Sequence, residues 1–516
     1  MARQNGASSR VIATTADLNR AIKGVCDVLR RDKAKGARLY VPELTWMLFL
    51  QALDLNERDE EARLRALGRK EDFTRSLESP YRWRDWAMRP GADVGIGWKR
   101  HELTDKSPLG SFLSFVNDEL FPYLQRVGTK PGATDRQRVI SEIFRNKDRT
   151  VVASETNLLD AIDRVQDLAD SAVDDTHFFT ISQAFEGLLP ALGEKKNDGG
   201  QFFTPREIIR VIVAAVRPEL DRTVYDPCCG TGGFLIEAFR YLLTHNPTAT
   251  QIDELKSNRL WGREDADEAI PICLANMVLH EMDLPRIWHG NTLTGSVTYG
   301  ELYDGAPTQF DYVLTNPPFG SKEGKGAQAQ FAYKSSKAQI LFLQHIIESL
   351  ADRGTCGMVI DEGVLFHTNT NAYRQTKRKL LDECNLWCIV SLPPGVFVNA
   401  GAGAKTDLLF FTKGQPTKRV WYYDMTHHHV TRTKQLGSAD FAEFFELLTL
   451  DPESDRRVGP RSWWRSIDEI RSTDYDLKAF NPNTATETAT RSVTELVEVI
   501  RGAQHAIEEG LARLTI

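Results

Sequence analysis

Three things are scarce in this 516-residue sequence. No apolar run approaches the roughly 20 residues that span a bilayer, and the opening stretch MARQNGASSRVIATTADLNR has no apolar core of signal-peptide type. A cytoplasmic protein without membrane association is therefore expected. The seven cysteines (Cys26, Cys228, Cys229, Cys273, Cys356, Cys384 and Cys388) are odd in number and lack metal-ligand spacing, as expected of thiols in a reducing compartment. No metal site follows from them, and Cys384 and Cys388 in LLDECNLWCIV read as small core residues. The triple His427-His428-His429 has no cysteine or carboxylate pattern beside it and reads as a surface turn. An excess of positive charge is also missing. With 64 Lys and Arg against 71 Asp and Glu the net charge is −7, whereas a chain that grips nucleic acid unaided needs clustered cations for the phosphates. If such a chain acts on DNA, it has help.

Apolar residues are plentiful, at 41%, and the length suits about three domains. Residues 1–150 read as a helical domain: Leu18, Ile22, Val25 and Leu29 recur at helical spacing, and VPELTWMLFLQALDLNERDEEARLRALG follows an apolar block with charge. Within it, YRWRDWAMRPGADVGIGWKR is aromatic and basic, which suits either contact with nucleic acid or stacking inside the domain. From 151 to 430 short β-rich runs (TVYD, RLWGRE, FDYVLT, GTCGMVI, LWCIVSLP, DLLFFTK) alternate with helical segments. That alternation means a mostly parallel, helix-covered sheet, with DLLFFTK expected to close it as an antiparallel hairpin strand. Residues 431–484 form a mixed extension with no clear pattern. After the linker-like NPNTATETAT, residues 485–516 read as a C-terminal helix. Ser492 and Glu495 fit a capping box, and Val493, Leu496, Ile500, Ile507, Leu511 and Leu514 form a stripe that either docks a partner subunit or packs back on its own domain.

The chemistry concentrates at strand ends. In TVYDPCCGTGGF a short strand ends at Asp226, followed by Gly230, Thr231, Gly232 and Gly233 and a helical pattern. Such a turn lets a ligand approach the backbone and meet free N–H groups. The spacing is G-x-G-G rather than the dinucleotide G-x-G-x-x-G, and the acid at Asp226 would repel a pyrophosphate but suits an ammonium group. The next strand, RLWGRED, ends in Glu264, where an acid can accept ribose hydroxyls. One molecule carries an amino acid at one end and a ribose at the other: S-adenosylmethionine. Further on, FDYVLT ends in Asn316-Pro317-Pro318-Phe319, an amide, two rigid prolines and an aromatic ring. Alone, that tetrapeptide is equally a structural turn.

Together, DPCCGTGGF, NPPF some ninety residues on, the preceding GGQFFTPREIIRVIV and LPPGVF at 392–397 resemble the N6-adenine DNA methyltransferases, specifically the modification (M) subunit of type I restriction-modification systems. The resemblance covers most of the chain, including the helical N-terminal part. It implies an α/β fold, a Rossmann-like S-adenosylmethionine-dependent methyltransferase sheet with an N-terminal helical domain and a C-terminal helical tail. It also implies that Gln201, Phe202, Phe203, Thr204, Pro205 and Arg206 pack against the methionine end of S-adenosylmethionine. Asp226, Gly230, Thr231, Gly232 and Gly233 would line the cofactor turn, Glu264 would take the ribose, and Asn291, where the family commonly has an acid, would hydrogen-bond the cofactor's adenine.

The exocyclic amine of adenine is a poor nucleophile because its lone pair is delocalised into the ring. The Asn316 side-chain oxygen and the Pro317 carbonyl can each accept one of its N–H groups, Pro318 helps to hold them rigid, and Phe319 offers a face to the base. An amide is too weak a base to deprotonate the amine, so the task is positioning. The expected partners are double-stranded DNA and a specificity subunit, two M subunits to one specificity subunit, with a restriction (translocase/nuclease) subunit left open. Competing readings are a self-sufficient adenine methyltransferase, a catalytically silent scaffold or cofactor sensor, and methylation of a protein glutamine amide. The GSKEGKGAQAQF segment after the tetrapeptide, with Lys322 and Lys325, suits a mobile loop closing on DNA or a plain solvated loop.

Overall fold

The computed structural model of the chain describes residues 15–88, 111–170 and 204–483, apart from 283, 296, 298–300, 399–402, 432–433, 452–457 and 479, together with 501 and 504. The C-terminal stripe, the Ser492/Glu495 capping pair and Gln201, Phe202 and Phe203 lie outside the described residues.

The first part is helical. Helices Thr15–Arg31, Ala37–Ala66 and Glu155–Asp170 pack on one another, with Ile22, Val25 and Leu29 of the first buried at the contact. Helix Asp135–Phe144 begins at a capping box in which Thr134 and Gln137 satisfy each other's backbone N–H. In the described part of the aromatic-basic stretch, intramolecular packing wins. Trp83 and Trp86 are buried, the Trp83 indole donates to Gln166 at 2.6 Å, and Arg84 pairs with Asp54 at 2.9 Å.

The second part is built on nine strands: β1 (Val224–Asp226), β2 (Leu260–Glu264), β3 (Arg286–His289), β4 (Phe310–Thr315), β5 (Leu350–Asp361), β6 (Cys384–Ser391), β7 (Thr406–Lys413), β8 (Arg419–Asp424) and β9 (Ser462–Ser466). Their order across the sheet is β3-β2-β1-β4-β5-β7-β6-β8-β9. Pairings are parallel except those of β7 with β5 and β6 and of β9 with β8. DLLFFTK, as β7, is antiparallel as expected, but it does not close the sheet. It inserts between β5 and β6, and two further strands continue beyond, the last from the segment after residue 430. Strand order runs outward in both directions from β1 and β4, so their carboxyl ends flank the switch point where a doubly wound sheet binds ligands.

One apolar cluster runs from the N-terminal helices onto one face of the sheet, and a second fills the other face under helices Ala338–Ser349 and Asn371–Glu383. The link between the two parts is helix Ala269–Val278, which contacts both Ala37–Ala66 and Asp135–Phe144. Its sequence AIPICLANMV is apolar on every side but for Asn276, as a helix buried all round must be. Cys384 and Cys388 are core residues, and the three histidines 427–429 sit in a turn after β8.

On β7, Asp407 is fully buried. Burial pushes its carboxyl up to about 7, Glu362 and Asp361 push the same way, and the Ser391 hydroxyl across the ladder and Lys405 pull it down. The unfolded chain releases this proton above about pH 4 while the folded chain keeps it, so the contribution to stability is present at low pH and is lost as pH rises towards 7. Asp407→Asn is expected to raise the melting temperature by a few degrees at about pH 8 and to change it little at about pH 4. Thermal melts at the two pH values check this; a variant destabilised at the higher pH would show that the charge has a compensating partner.

Candidate active site

The site grows from the ends of β1 and β4. At the end of β1 Asp226 is buried; its Oδ1 accepts the Thr315 hydroxyl at 2.6 Å and the Cys228 N–H at 3.2 Å. Desolvation raises its carboxyl to about 7, against the downward pull of those two donors. The chain then turns through Gly230 (φ 55°) and Gly232 (φ 80°), left-handed conformations that glycine adopts without a Cβ penalty. At Gly232 a Cβ would also press on Cys273 Sγ at 3.2 Å. Gly233 opens helix Gly233–Leu243, and the buried Asn276 amide holds the turn by donating to the Thr231 carbonyl at 2.8 Å.

Glu264, at the tip of β2, is buried and accepts three backbone N–H groups: Gly230 at 2.7 Å, Ala266 at 2.9 Å and Asp265 at 3.0 Å. Burial still raises its carboxyl above the usual range. Part of its role is thus to fix the glycine turn, while its remaining lone pairs serve the neighbouring cleft.

Asn316 directly follows β4 with its side chain buried. Its Nδ2 donates to Thr204 Oγ1 at 2.9 Å, and its Oδ1 is a buried acceptor with no partner among the described residues. An orphaned buried acceptor is costly, on the order of 1–3 kcal/mol, and marks where a donor is to arrive. The Pro317 carbonyl already accepts Gln339 Nε2 at 3.2 Å, while Gln339 Oε1 takes the Asp361 N–H at 3.1 Å; one carbonyl lone pair stays available. Phe319 is half-buried and meets Phe397 of LPPGVF edge-to-face, centroids 5.4 Å apart at 80°.

Two clefts meet at Cys228. One is lined by Thr204, Arg206, Asp226, Gly230, Thr231 and Asn316, among others. The other holds Glu264, Asp265, Asn291, Pro318, Glu323 and Phe342. Of the sequence-predicted residues that are described, Thr204, Arg206, Asp226, Gly230, Thr231, Gly233, Glu264, Asn291, Asn316 and Pro318 line this pair of clefts. Gly232 shapes the turn behind it, Pro317 is buried below, and Pro205 caps the helix Arg206–Val216. Arg206 is itself held, donating to the Gly233 carbonyl at 3.2 Å.

Asn291 has contacts of its own within the cleft. Its Oδ1 caps the turn Thr292–Thr294 by accepting the Leu293 N–H at 2.9 Å, which leaves Nδ2, near Asp265 at 3.4 Å, as the group facing the cleft. The segment after Phe319 is also more anchored than a free loop. Lys322 pairs with Lys337 in a β-bridge, and Ala327 and Phe331 are buried against Leu293, Leu341 and Phe342. Sequence reasoning missed Thr315, Cys228, Asp265 and Gln339. Only Asp265, the second acid of RLWGRED, left a local signal; Thr315 and Gln339 act through partners far away in sequence.

The N-6 DNA methylase family profile matches residues 177–491. The chain belongs to the N-6 DNA methylase family. The part of this methylase preceding that match is similar to the HsdM N-terminal domain over residues 18–165. The methylase is 30% identical to the type I restriction enzyme EcoEI methylase subunit of Escherichia coli, over 95% of this chain and 96% of that protein. To the EcoKI methylase subunit of the same species, strain K12, it is 29% identical over 92% and 83% of the two chains. It also superposes on a solved chain from a study of complex assembly and conformational transition in a type I restriction-modification system, with TM-score 0.73, 32% identity and coverage of 97% and 98%. These relatives make it an adenine DNA methyltransferase of the type I methylase-subunit kind. No described helix is long and apolar enough to cross a membrane.

Proposed function

We propose that this methylase binds S-adenosylmethionine across the two clefts and methylates N6 of an adenine swung out of duplex DNA, with the DNA sequence chosen by a separate specificity subunit. The observation that carries the reading is the orphaned Asn316 Oδ1 at the mouth of the cleft formed by Asp226 and the glycine turn. The residues fit the cofactor chemically: Asp226 and the Gly230–Gly233 turn suit the amino-acid end, and Glu264, Asp265 and Asn291 suit the nucleoside. When bound, S-adenosylmethionine supplies an electrophilic methyl carbon on a sulfonium.

The protein's own task is alignment. Asn316 Oδ1 and the Pro317 carbonyl accept the two N–H groups of the amine and turn its lone pair towards the cofactor cleft. Positioning of this kind is worth up to roughly 7–11 kcal/mol. Thr204 holds the Asn316 amide through its Nδ2, and Gln339 holds the Pro317 carbonyl. Extruding the base costs a few kcal/mol, which contact with the Phe319 ring offsets.

The net charge of −7 supports a need for partners: DNA contacts supplied by a specificity subunit, on the reading of two M subunits to one, with residues 485–516 as its docking helix. A restriction subunit joining the same assembly is compatible with this. The isolated chain is expected to bind S-adenosylmethionine yet methylate plasmid DNA roughly 10³-fold or more slowly than when mixed with the product of the neighbouring reading frame, since specific binding exceeds non-specific by at least that factor. Methyl transfer with and without that product tests the reading. Robust site-specific methylation by the chain alone would remove the partner and favour a self-sufficient enzyme.

A further inference from the structure

The carboxyl edge of the sheet is chemically lopsided. Beyond β2, Asp265, Asp267 and Glu268 are all exposed, a rim that repels phosphates. On the other side of Asn316, the connecting loop after β5 opens with the short helix Glu362–Phe366 and runs His367-Thr368-Asn369-Thr370 into helix Asn371–Glu383. Phe366 is 39% exposed and Phe480 is 66% exposed. Between them stands Lys478, its Nζ 5.3 Å from the Phe366 centroid and 5.0 Å from that of Phe480. Lys405 and Lys478 share the single carboxylate of Glu362. In the first turn of the following helix, Arg374 has no carboxylate partner among the described residues.

This loop is fixed, and fixed relative to the catalytic carbonyl. Gln339 joins the Pro317 carbonyl to the Asp361 N–H at the loop's base. At its tip the fully buried Lys377 donates to the Leu365 carbonyl at 2.7 Å and to the His367 carbonyl at 2.9 Å. The Leu477 N–H also reaches the Leu365 carbonyl, at 3.1 Å, which brings Lys478 and Phe480 alongside. A buried ammonium spent on these two carbonyls fixes the backbone on either side of Phe366, itself 39% exposed, with the Lys478 ammonium over its ring and the His367 ring beside it, centroids 4.6 Å apart. Exposed rings on a rigid mount with a cation between them match what stacks a nucleotide: a π-face for the base and positive charge for the backbone. The acidic rim at β2 and the cations at β5 orient a polyanion to this side.

We propose that Phe366, flanked by Lys478 and Phe480, is a stacking platform for a nucleotide neighbouring the extruded adenine, so that this chain itself contacts the DNA beside the flipped base. The inference rests on the proposed methylation of DNA. It is tested on the full chain assembled with its specificity subunit, with plasmid DNA as substrate. Phe366→Ala is expected to raise the KM for DNA about tenfold while kcat falls less, and to leave cofactor affinity and co-elution with the specificity subunit unchanged. Its salt dependence of DNA binding should match the wild type, because stacking releases no counterions, and Phe366→Trp should restore the KM. An unchanged KM overturns the proposal, as does loss of co-elution, which would assign the surface to the partner subunit. A wild-type assembly that transfers no methyl to DNA would overturn the proposed function itself, whereas an active wild type with an indifferent Phe366→Ala would overturn only the platform.

Discussion

Asn316→Ala is expected to lower kcat for methyl transfer by at least about 10³-fold while changing the affinity for S-adenosylmethionine less than about tenfold. The size follows from what the side chain does. Its Oδ1 is a buried acceptor without a partner among the described residues, and losing one preorganised group aimed at a reacting centre commonly costs 10²–10³ in rate. Here the loss also removes the alignment on which a weak nucleophile depends. The cofactor should still bind because Asp226, the glycine turn and Glu264 hold their places through Thr315, Asn276 and backbone N–H groups, none of which involve Asn316. Only the 2.9 Å contact with Thr204 is lost. Single-turnover transfer and calorimetric titration of the cofactor separate the two quantities. Loss of both together would mean that Asn316 is part of the cofactor site.

Cofactor affinity is expected to fall with acidity through neutral pH, by about tenfold per unit well below pH 7, and to level off above about pH 8. In the free protein the Asp226 carboxyl stands at about 7 because burial disfavours its charge, so near neutrality a share of molecules is protonated. An ammonium group binds the carboxylate form, and the proton must leave first. Binding near pH 7 should therefore release about half a proton, seen as a buffer-dependent heat in calorimetry. Asp226→Asn should abolish both the release and the slope and weaken binding by roughly 10²-fold, within the range for removing one partner of a buried charge pair. Proton-neutral binding with a flat pH profile would place the ammonium elsewhere.

The parts of the site legible in sequence are those that interrupt a local pattern. Asp226, Glu264 and Asn316 each follow an apolar β run with a polar group, and the glycines after Asp226 break the strand-to-helix passage where φ must be positive. Strands β1, β2 and β4 were legible for the same reason. β3 (RIWH) was not, because four residues with two polar ends have no period of their own. β8 and β9 carry abundant tryptophan and tyrosine, but their membership of the sheet is decided by pairing across 40 or so residues of chain, and strand preference depends on that context. The insertion of β7 between β5 and β6 is equally invisible locally, since a hairpin looks the same wherever the sheet continues.

The sequence by itself determined the family's two chemical signatures, the acid before a glycine turn and the amide-diproline-aromatic tetrapeptide, because each is a short run whose residue types are demanded by the ligand it meets. Only the tertiary structure decided how those groups are set to work. Thr315 steadies Asp226, Gln339 holds the Pro317 carbonyl, Thr204 holds the Asn316 amide, and Lys377 holds the carbonyls on either side of Phe366. The physical reason is that a buried polar group must find its partner in space, and those partners stand on other elements of the fold, where no local pattern announces them.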